Sequence, residues 1–250
     1  MDKEKLEALE KKIEELEKKV QKYQDYMEIV NLMGRYQYLL TGGQNAVIAR
    51  ELYAYDHPDA RCEYGPLGVF TGDRALEFFE QVDYNFCLGR KDGTADGTLE
   101  YHQITTPVIE IAEDGKTAKG MWLSTGAILM AQDPEDPEGS FTWDVGKYAV
   151  DFIKTDKGWK IWHLHVCDLW RSDFSEDPVK NRKPPQQWTT REMIDEYNAR
   201  AERGEKVRPH GFPIPDRPTT FHYFYSGELP APREPRPPEP YDTFENTFSY

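Results

Sequence analysis

The sequence is poor in cysteine and has no excess of basic residues. Its 250 residues include three cysteines, and Lys and Arg number 31 against 45 for Asp and Glu, so the formal net charge is -14. Cys62, Cys87 and Cys167 are far apart and form no C-x-x-C pair, which excludes a disulfide framework and a zinc finger. Binding to phosphates needs clustered basic side chains, so the sequence predicts no nucleic-acid partner.

Long apolar runs are also missing. No stretch approaches the roughly 18 apolar residues that a membrane span needs, and the chain begins with charged helix formers instead of an apolar signal segment. We therefore expect no membrane partner and a reducing, cytoplasmic location. The G-x-G-x-x-G, phosphate-loop and G-x-S-x-G motifs are absent from the sequence as well, which argues against nucleotide, flavin and serine-hydrolase chemistry.

The first 30 residues carry a heptad pattern. Apolar side chains alternate at spacings of three and four, at Leu6, Leu9, Ile13, Leu16, Val20, Tyr23, Met27 and Val30. With Leu6 at position a, the g positions hold Lys5, Lys12 and Lys19, and the e positions hold Glu10, Glu17 and Gln24. Parallel pairing sets Lys against Glu, whereas antiparallel pairing sets like charges together. The pattern predicts that residues 1–27 form a parallel, self-associating coiled coil; the alternative is an amphipathic helix on its own domain.

Residues 28–175 are predicted to form one α+β domain. Four runs between Thr98 and Phe174 are rich in Val, Ile, Thr, Tyr and Trp, and turns at Gly115, Gly139 and Gly158 separate them, which indicates consecutive antiparallel strands. Three helical segments and a short hairpin precede these strands. We expect the helices to pack on the sheet and to enclose a hollow there.

The remaining residues, 176–250, have a different composition. One helix is predicted in the sequence TTREMIDEYNARAERG, and the rest is dense in proline and aromatic residues. Aromatic side chains are costly to leave in water. We therefore predict a tail that wraps over its own domain or a neighbouring subunit, with its last ten or so residues disordered.

Four segments together resemble a known superfamily: RYQYLL, ARCEYGPLGVFTG, HQITTPVIEIAEDGKTAKGMW and DFIKTDKGWKIWHLHV. They resemble the SnoaL-like, nuclear-transport-factor-two-like superfamily over about residues 28 to 174. The resemblance implies a cone-shaped barrel, in which a curved, mostly antiparallel sheet wraps around helices and closes a pocket. Members include both enzymes and binding proteins, so the fold alone does not fix the function.

Within this superfamily the chain looks most like the cofactor-free lyases: scytalone dehydratase, bile-acid 7α-dehydratase and the diarylpropane lyases that release formaldehyde. The resemblance places His102 as the acid–base residue and Tyr64 and Tyr36 as phenols that hold a substrate oxygen. It implies a small hydroxylated aromatic substrate, such as a lignin-derived diol in aromatic catabolism, with no cofactor and no metal. It also implies a homotrimer, although Leu at two d positions and β-branched residues at two a positions favour two strands.

Four further residues are predicted to contact the substrate: Tyr38, Trp122, His165 and Asp168. In HLHVCD, side chains alternate between the two faces of a strand, so His163, His165 and Cys167 share one face and Asp168 lies on the other. His165 is predicted to line the pocket and His163 to be structural. By the same alternation, His102 shares a face with Ile104, Thr106 and Val108.

Two departures from the dehydratases bear on the reaction. Thr41–Gln44 replace an Asp near the end of the first helix, and Thr125–Ile128 replace a later His or Asp. Without a visible carboxylate partner for His102, the sequence favours carbon–carbon cleavage with formaldehyde release over dehydration. The alternatives are a non-catalytic small-molecule binding or assembly module and a polyketide-type isomerase or cyclase.

Overall fold

The computed structural model describes residues 3–86, 97–130, 139–180, 188–220, 225 and 233–250, with the side chains of 83–86 left out. Four α-helices lie in the described part: α1 (Lys3–Thr41), α2 (Asn45–Val47), α3 (Asp73–Phe86) and α4 (Arg191–Glu202). The short α2 continues into a π-helical turn, Ile48–Leu52. None of the described helices combines the length and the apolar character that a membrane crossing requires.

Six strands form one mixed sheet. They are β1 (Arg61–Tyr64), β2 (Gly68–Thr71), β3 (Leu99–Ile111), β4 (Thr117–Met130), β5 (Ser140–Thr155) and β6 (Gly158–Asp173), in the order β2-β1-β6-β5-β4-β3. The predicted hairpin β1–β2 and the meander β3 to β6 are antiparallel, and β1 pairs with β6 in parallel. The α+β class predicted from the sequence is therefore confirmed.

The helices cover one face of this sheet. Ile29, Met33, Tyr36 and Leu40 form a buried stripe along α1 and pack in the main core with Phe152 and other β5 and β6 residues. Asp25 fixes α1 to the sheet, because its carboxylate accepts a hydrogen bond from Trp159 Nε1 (2.9 Å) and pairs with Lys154 Nζ (2.6 Å). This face is called the inner face below.

The C-terminal segment covers the opposite, outer face. Tyr250 and Phe248 pack on Met121 and Ala149, and the Tyr250 N–H donates to Asp151 Oδ2 at 3.0 Å. The prediction that the last ten residues are disordered is wrong, because Tyr241 and Tyr250 are both buried. Aromatic side chains and hydrogen bonds to the sheet hold this stretch in place.

A buried ion pair lies beneath that segment. Lys119 Nζ is 2.6 Å from Asp151 Oδ1, and both side chains are inaccessible to solvent. His163 Nδ1 lies 2.7 Å from the other Asp151 oxygen. The rings of Phe244, Phe248 and Tyr250 surround the Lys119 ammonium at 4.7–4.9 Å. The predicted structural role of His163 agrees with this position.

A β-bulge in β3 changes the predicted alternation of that strand. The register shifts between Thr105 and Val108, and Thr106 has a positive φ of 52°. Ile104 packs against the core as predicted, but after the bulge Ile109 faces the core and Val108 is exposed. The prediction that Val108 shares the face of His102 is therefore wrong, because the extra residue reverses the alternation.

Candidate active site

A cavity of about 250 Å³ lies between the inner face of the sheet and the helices. Its lining combines aromatic and aliphatic side chains with a set of ionisable ones. The ionisable and polar groups are Asn45, Tyr64, Glu100, His102, Asp144, Tyr148, Asp168, Arg171 and His210. An apolar hollow with a few convergent polar groups is the usual form of a small-molecule site.

His102 lies in a row of paired residues that crosses four strands. His102 on β3 pairs with Gly126 on β4, Gly126 pairs with Asp144 on β5, and Asp144 pairs with Arg171 on β6. All three ionisable members line the cavity. Because Gly126 has no side chain, the row leaves room for the imidazole between β3 and β5.

The surroundings of His102 favour a neutral imidazole. The ring is 8% exposed, and this burial lowers its pKa, with Asp144 opposing the shift and Arg171 adding to it. Ser124 Oγ lies 3.4 Å from Nδ1, and Glu100 Oε1 lies 3.8 Å from Nε2. A neutral imidazole close to carboxylates can accept a proton and share the resulting charge with them.

Two carboxylates and one guanidinium form a cluster on β5 and β6. Arg171 lies 2.7 Å from Asp144 Oδ2 and 3.3 Å from Asp168 Oδ2. Burial raises the pKa of Asp168 to about 7, although Arg171 opposes this shift. Burial therefore favours the protonated form of Asp168, which is able to donate a proton.

Gly65 makes room for the Asp168 carboxylate. A Cβ atom at Gly65 would lie 2.6 Å from Asp168 Oδ2. Gly65 follows β1, and Asp168 lies on β6, its parallel neighbour. The two glycines, Gly65 and Gly126, thus leave the space that the side chains of Asp168 and His102 occupy.

Two of the predicted phenols contact each other. The hydroxyl oxygens of Tyr36 and Tyr64 are 2.6 Å apart, which is a hydrogen bond between a helix residue and a strand residue. Burial raises the pKa of Tyr64 well above its usual value, and it also raises that of Tyr36. Tyr64 lines the cavity and Tyr36 lies behind it, so both remain neutral hydrogen-bonding groups and Tyr36 orients Tyr64.

Aromatic rings enclose the remaining wall. Tyr148 meets His102 edge-on, with ring centroids 6.3 Å apart, and Phe212 stacks on Phe78 at 4.8 Å. Phe212 and His210 come from the segment after α4, so the C-terminal extension completes the cavity of its own domain. His210 has a positive φ of 51° in the turn Pro209–Gly211.

The structure brings four of the seven predicted site residues together. His102, Tyr64 and Asp168 line the cavity, and Tyr36 contacts Tyr64. The other three predicted residues lie elsewhere. Tyr38 is 85% exposed, because a helix residue two positions from the buried Tyr36 points to the opposite side.

Trp122 and His165 are also corrected. Trp122 is buried in the main core against Phe152 and does not line the cavity. His165 lies on the outer face, with Nε2 3.4 Å from Glu63 Oε1. The prediction that His165 and Asp168 lie on opposite faces of β6 is confirmed, but strand alternation could not show which of the two faces lines the cavity.

Sequence reasoning did not find Asp144, Glu100 or Tyr148. Glu100 lies two residues before His102 on the same strand, so period-2 alternation could have placed it on the same face. Asp144 and Tyr148 need the register between β4 and β5, which no local pattern gives. Among the described residues, no group of three or more His, Cys, Asp or Glu is arranged to hold a metal ion.

The chain was compared with known proteins in sequence and in structure. No curated protein matches the sequence. The chain resembles a proposed scytalone dehydratase from Novosphingobium aromaticivorans DSM 12444, at 15% identity and a TM-score of 0.49, over 64% of this chain and 93% of that one. It also resembles LinA, at 12% identity and a TM-score of 0.50, over 67% and 99% of the two chains. A third relative is the hexachlorocyclohexane dehydrochlorinase LinA-type3 from Novosphingobium barchaimii LL02, at 12% identity and a TM-score of 0.48, over 67% and 99%.

At these identities the similarity to solved structures concerns the fold alone. The sequence comparison is more informative about ancestry. The profile of the SnoaL-like domain matches residues 21–165, more than half of the chain, and this range includes the second half of α1, α2, α3, strands β1 to β5 and the first half of β6. The chain therefore belongs to the SnoaL-like domain family.

Proposed function

We propose that this protein is a cofactor-independent lyase that acts on a small hydroxylated aromatic molecule. The observation that carries the proposal is the row His102–Gly126–Asp144–Arg171, whose ionisable side chains line the cavity beside Asp168 and the Tyr36–Tyr64 pair. A base, an acid and neutral hydrogen-bond donors thus line one apolar space. This set is sufficient for an elimination by proton transfer.

His102 is the proposed base. Its imidazole is kept neutral by burial, so it can take a proton from the substrate carbon next to the one that bears the leaving hydroxyl. The imidazolium that results is stabilised by the charge of Asp144 and by Glu100, whose Oε1 lies 3.8 Å from Nε2. Proton transfer by a positioned side chain contributes about 10²–10⁴-fold to a rate.

Asp168 is the proposed acid. The C–O bond to the substrate hydroxyl breaks as the electrons of the C–H bond form the new carbon–carbon double bond. The departing oxygen takes the Asp168 proton and leaves as water, so the base gains one proton and the acid loses one. A raised carboxyl pKa beside a lowered imidazole pKa is the pattern expected of an acid and a base that work at the same pH.

The phenols are proposed to hold a substrate oxygen. Tyr64 can donate a hydrogen bond to a carbonyl or phenolate oxygen on which charge develops, and Tyr36 keeps that hydroxyl in place at 2.6 Å. Donors that are already oriented inside a dry site stabilise such charge more than water does. The ring walls of Phe78, Tyr148 and Phe212 fit a flat aromatic substrate.

The cavity size bears on the substrate class. About 250 Å³ is slightly below the range of about 300–1,000 Å³ that small-molecule pockets span. A compound with one aromatic ring therefore fits better than a two-ring diarylpropane diol. We propose a single-ring substrate and place the lignin-derived diarylpropane diols second.

The position of Asp144 also changes which of the two candidate reactions, dehydration or carbon–carbon cleavage, is favoured. Carbon–carbon cleavage was favoured because no carboxylate partner of His102 was visible in the sequence. Asp144 supplies that charge, so dehydration becomes the first candidate. Cleavage with formaldehyde release is the second candidate. The Tyr36–Tyr64 pair favours it, because a phenol can donate a hydrogen bond to the substrate oxygen on which the negative charge of the leaving carbanion is delocalised.

The test is incubation of the purified protein with a panel of one-ring and two-ring phenolic diols, followed by mass spectrometry. Loss of water supports dehydration and loss of formaldehyde supports cleavage. Both reactions should be lost in His102→Ala and retained in Tyr38→Phe, whose ring lies on the surface. Saturable binding without a mass change would point to a binding module, and rearrangement at constant mass to an isomerase or cyclase.

A further inference from the structure

Helix α1 carries two apolar stripes on opposite sides. The inward stripe packs on the sheet, and its members Ile29, Met33 and Tyr36 have no exposed surface. The other stripe is the heptad series predicted from the sequence. Its members are 41–75% exposed: Leu6, Leu9, Ile13, Leu16, Val20, Tyr23 and Met27.

The two stripes cannot face the same partner. Each residue of an α-helix advances by about 100°, so residues two apart point about 200° away from each other. Met27 is 54% exposed and Ile29 is fully buried, and Tyr23 is 75% exposed while Asp25 is 1% exposed. Leu6 to Val20 of the heptad stripe therefore lie away from the domain, and over these residues the alternative that the stripe lies on its own domain does not hold. Tyr23 and Met27 are exposed but border Ile109 and Ile111 of β3.

The first five turns of α1 extend beyond the domain. Residues 3–21 are all exposed, a length of about 28 Å at about 1.5 Å per residue. Isolated helices have little stability in water, and most helical stability in proteins comes from packing an apolar face. A continuous apolar stripe on such a projecting helix requires a partner.

We propose that this partner is the same helix of a second copy, and that residues 3–27 form a parallel, in-register, two-stranded coiled coil. Charge supports the parallel direction, because it sets Lys5 against Glu10 and Lys12 against Glu17 of the partner helix, whereas antiparallel pairing sets like charges together. Leu9 and Leu16 at d positions, with β-branched residues at two a positions, favour two strands.

The number of helices in the coiled coil is decided by the heptad sequence of α1. Most of the heptad stripe precedes residue 21, where the match to the SnoaL-like domain begins, so the trimer implied by the family resemblance does not govern this segment. This inference is independent of the proposed reaction. It concerns how two copies are joined and leaves the cavity unchanged, since no heptad residue lines it.

A cysteine cross-link tests direction and register on the full chain. Cys62 and Cys167 are buried, and Cys87 is replaced by serine in all variants. Leu9→Cys places a thiol at a d position, so oxidation should give a reducible covalent dimer. Lys11→Cys, on the outer side of the same turn, is the matched control and should stay monomeric on a denaturing gel. Equal cross-linking at both positions, or none at Leu9→Cys, overturns the proposal.

Charge reversal tests the pairing by a second route. Lys5→Glu with Lys12→Glu should weaken the dimer roughly tenfold in sedimentation equilibrium. Adding Glu10→Lys and Glu17→Lys returns the net charge of the original chain and should restore its dissociation constant. A wild-type chain that sediments as a monomer or a trimer, or a restored variant as weak as the reversed one, contradicts a parallel two-stranded coiled coil.

Discussion

Gly126 lies directly opposite His102 on the neighbouring strand, and a Cβ atom at Gly126 would come within 2.2 Å of His102 Nδ1. No side chain can occupy that space while the imidazole is there. The position of the proposed base is therefore set by the absence of a side chain on β4 as much as by its own strand.

Gly126→Ala should displace the His102 ring without unfolding the protein. A Cβ at this distance forces the ring out of its place beside Asp144, so we expect turnover to fall about 10²-fold or more. Overpacking costs typically about 1–3 kcal/mol of unfolding free energy. Steady-state kinetics and denaturant unfolding check both values.

Gly34→Ala is the matched control for that variant. Gly34 lies in α1, and no atom comes within 4 Å of a Cβ built there. Alanine is favoured over glycine in a helix by about 1 kcal/mol. This variant should be more stable than the wild type and equally active. A loss of turnover in Gly34→Ala equal to that in Gly126→Ala would contradict the view that Gly126 acts by leaving room for the His102 ring.

Three predicted site tyrosines, Tyr64 on β1 and Tyr36 and Tyr38 on α1, should differ in their effect on turnover. Tyr64→Phe removes the hydroxyl that lines the cavity, so kcat should fall by about 10–10³-fold. Tyr36→Phe should have a smaller effect, because it removes only the group that orients Tyr64. Tyr38→Phe, on the exposed side, should match the wild type. A Tyr38→Phe effect as large as that of Tyr64→Phe would contradict the assigned roles.

The proposed acid and base predict the pH dependence of kcat/KM. On the acid side the rate should rise as His102 loses its proton, at a pH below the usual histidine value because burial lowers its pKa. On the alkaline side it should fall above about pH 7, where Asp168 ionises. In Asp168→Asn the rate should drop and the alkaline limb near pH 7 should vanish. If that limb persists, another group is the acid.

Asp168 also predicts how stability changes with pH. Its pKa is raised from 3.8 when unfolded to about 7 when folded, so the folded state binds the proton more tightly between these values. The contribution of Asp168 to folding is therefore present at low pH and is lost as pH rises from about 4 to 7. Asp168→Asn should reduce the difference in unfolding free energy between pH 5 and pH 8. An unchanged difference would show that the carboxyl is ionised when folded.

The outer face offers a prediction that does not depend on catalysis. Lys119→Ala leaves the Asp151 carboxylate buried without its cation, which typically costs about 3–5 kcal/mol. It also removes the cation that Phe244, Phe248 and Tyr250 surround, so residues 241–250 should become more accessible to protease. Lys3→Ala, at the exposed start of α1, is the control and should change neither property. Unaltered stability in Lys119→Ala would mean that the C-terminal segment is held by other contacts.

Much of the architecture could be predicted from local patterns. Strand runs, glycine turns and the heptad each depend on neighbouring residues, and β3 to β6 and the hairpin β1–β2 are where those patterns indicated. The register shift at Thr106 encloses Pro107, and proline inside a strand pattern marks an edge strand or a bulge, so this sequence signal was available but was not used. The shift moved Val108 to the exposed side.

The candidate site was only half predictable. His102, Tyr64 and Tyr36 came from a family resemblance, and Asp168 was predicted because a carboxylate can pair with a substrate hydroxyl; the structure brings the four together. Tyr38 could have been rejected from the sequence, since helical periodicity turns it away from Tyr36.

The sequence by itself determined the local elements, the strand alternation and the apolar stripe of α1, because each follows from periodicities of 2 or 3.6 residues. Only the tertiary structure decided that Asp168 and not His165 faces the cavity, and that Asp144 stands in the same row as His102. The register of two strand pairs and the face chosen by the packed helices set these positions, and both depend on contacts between residues far apart in the chain.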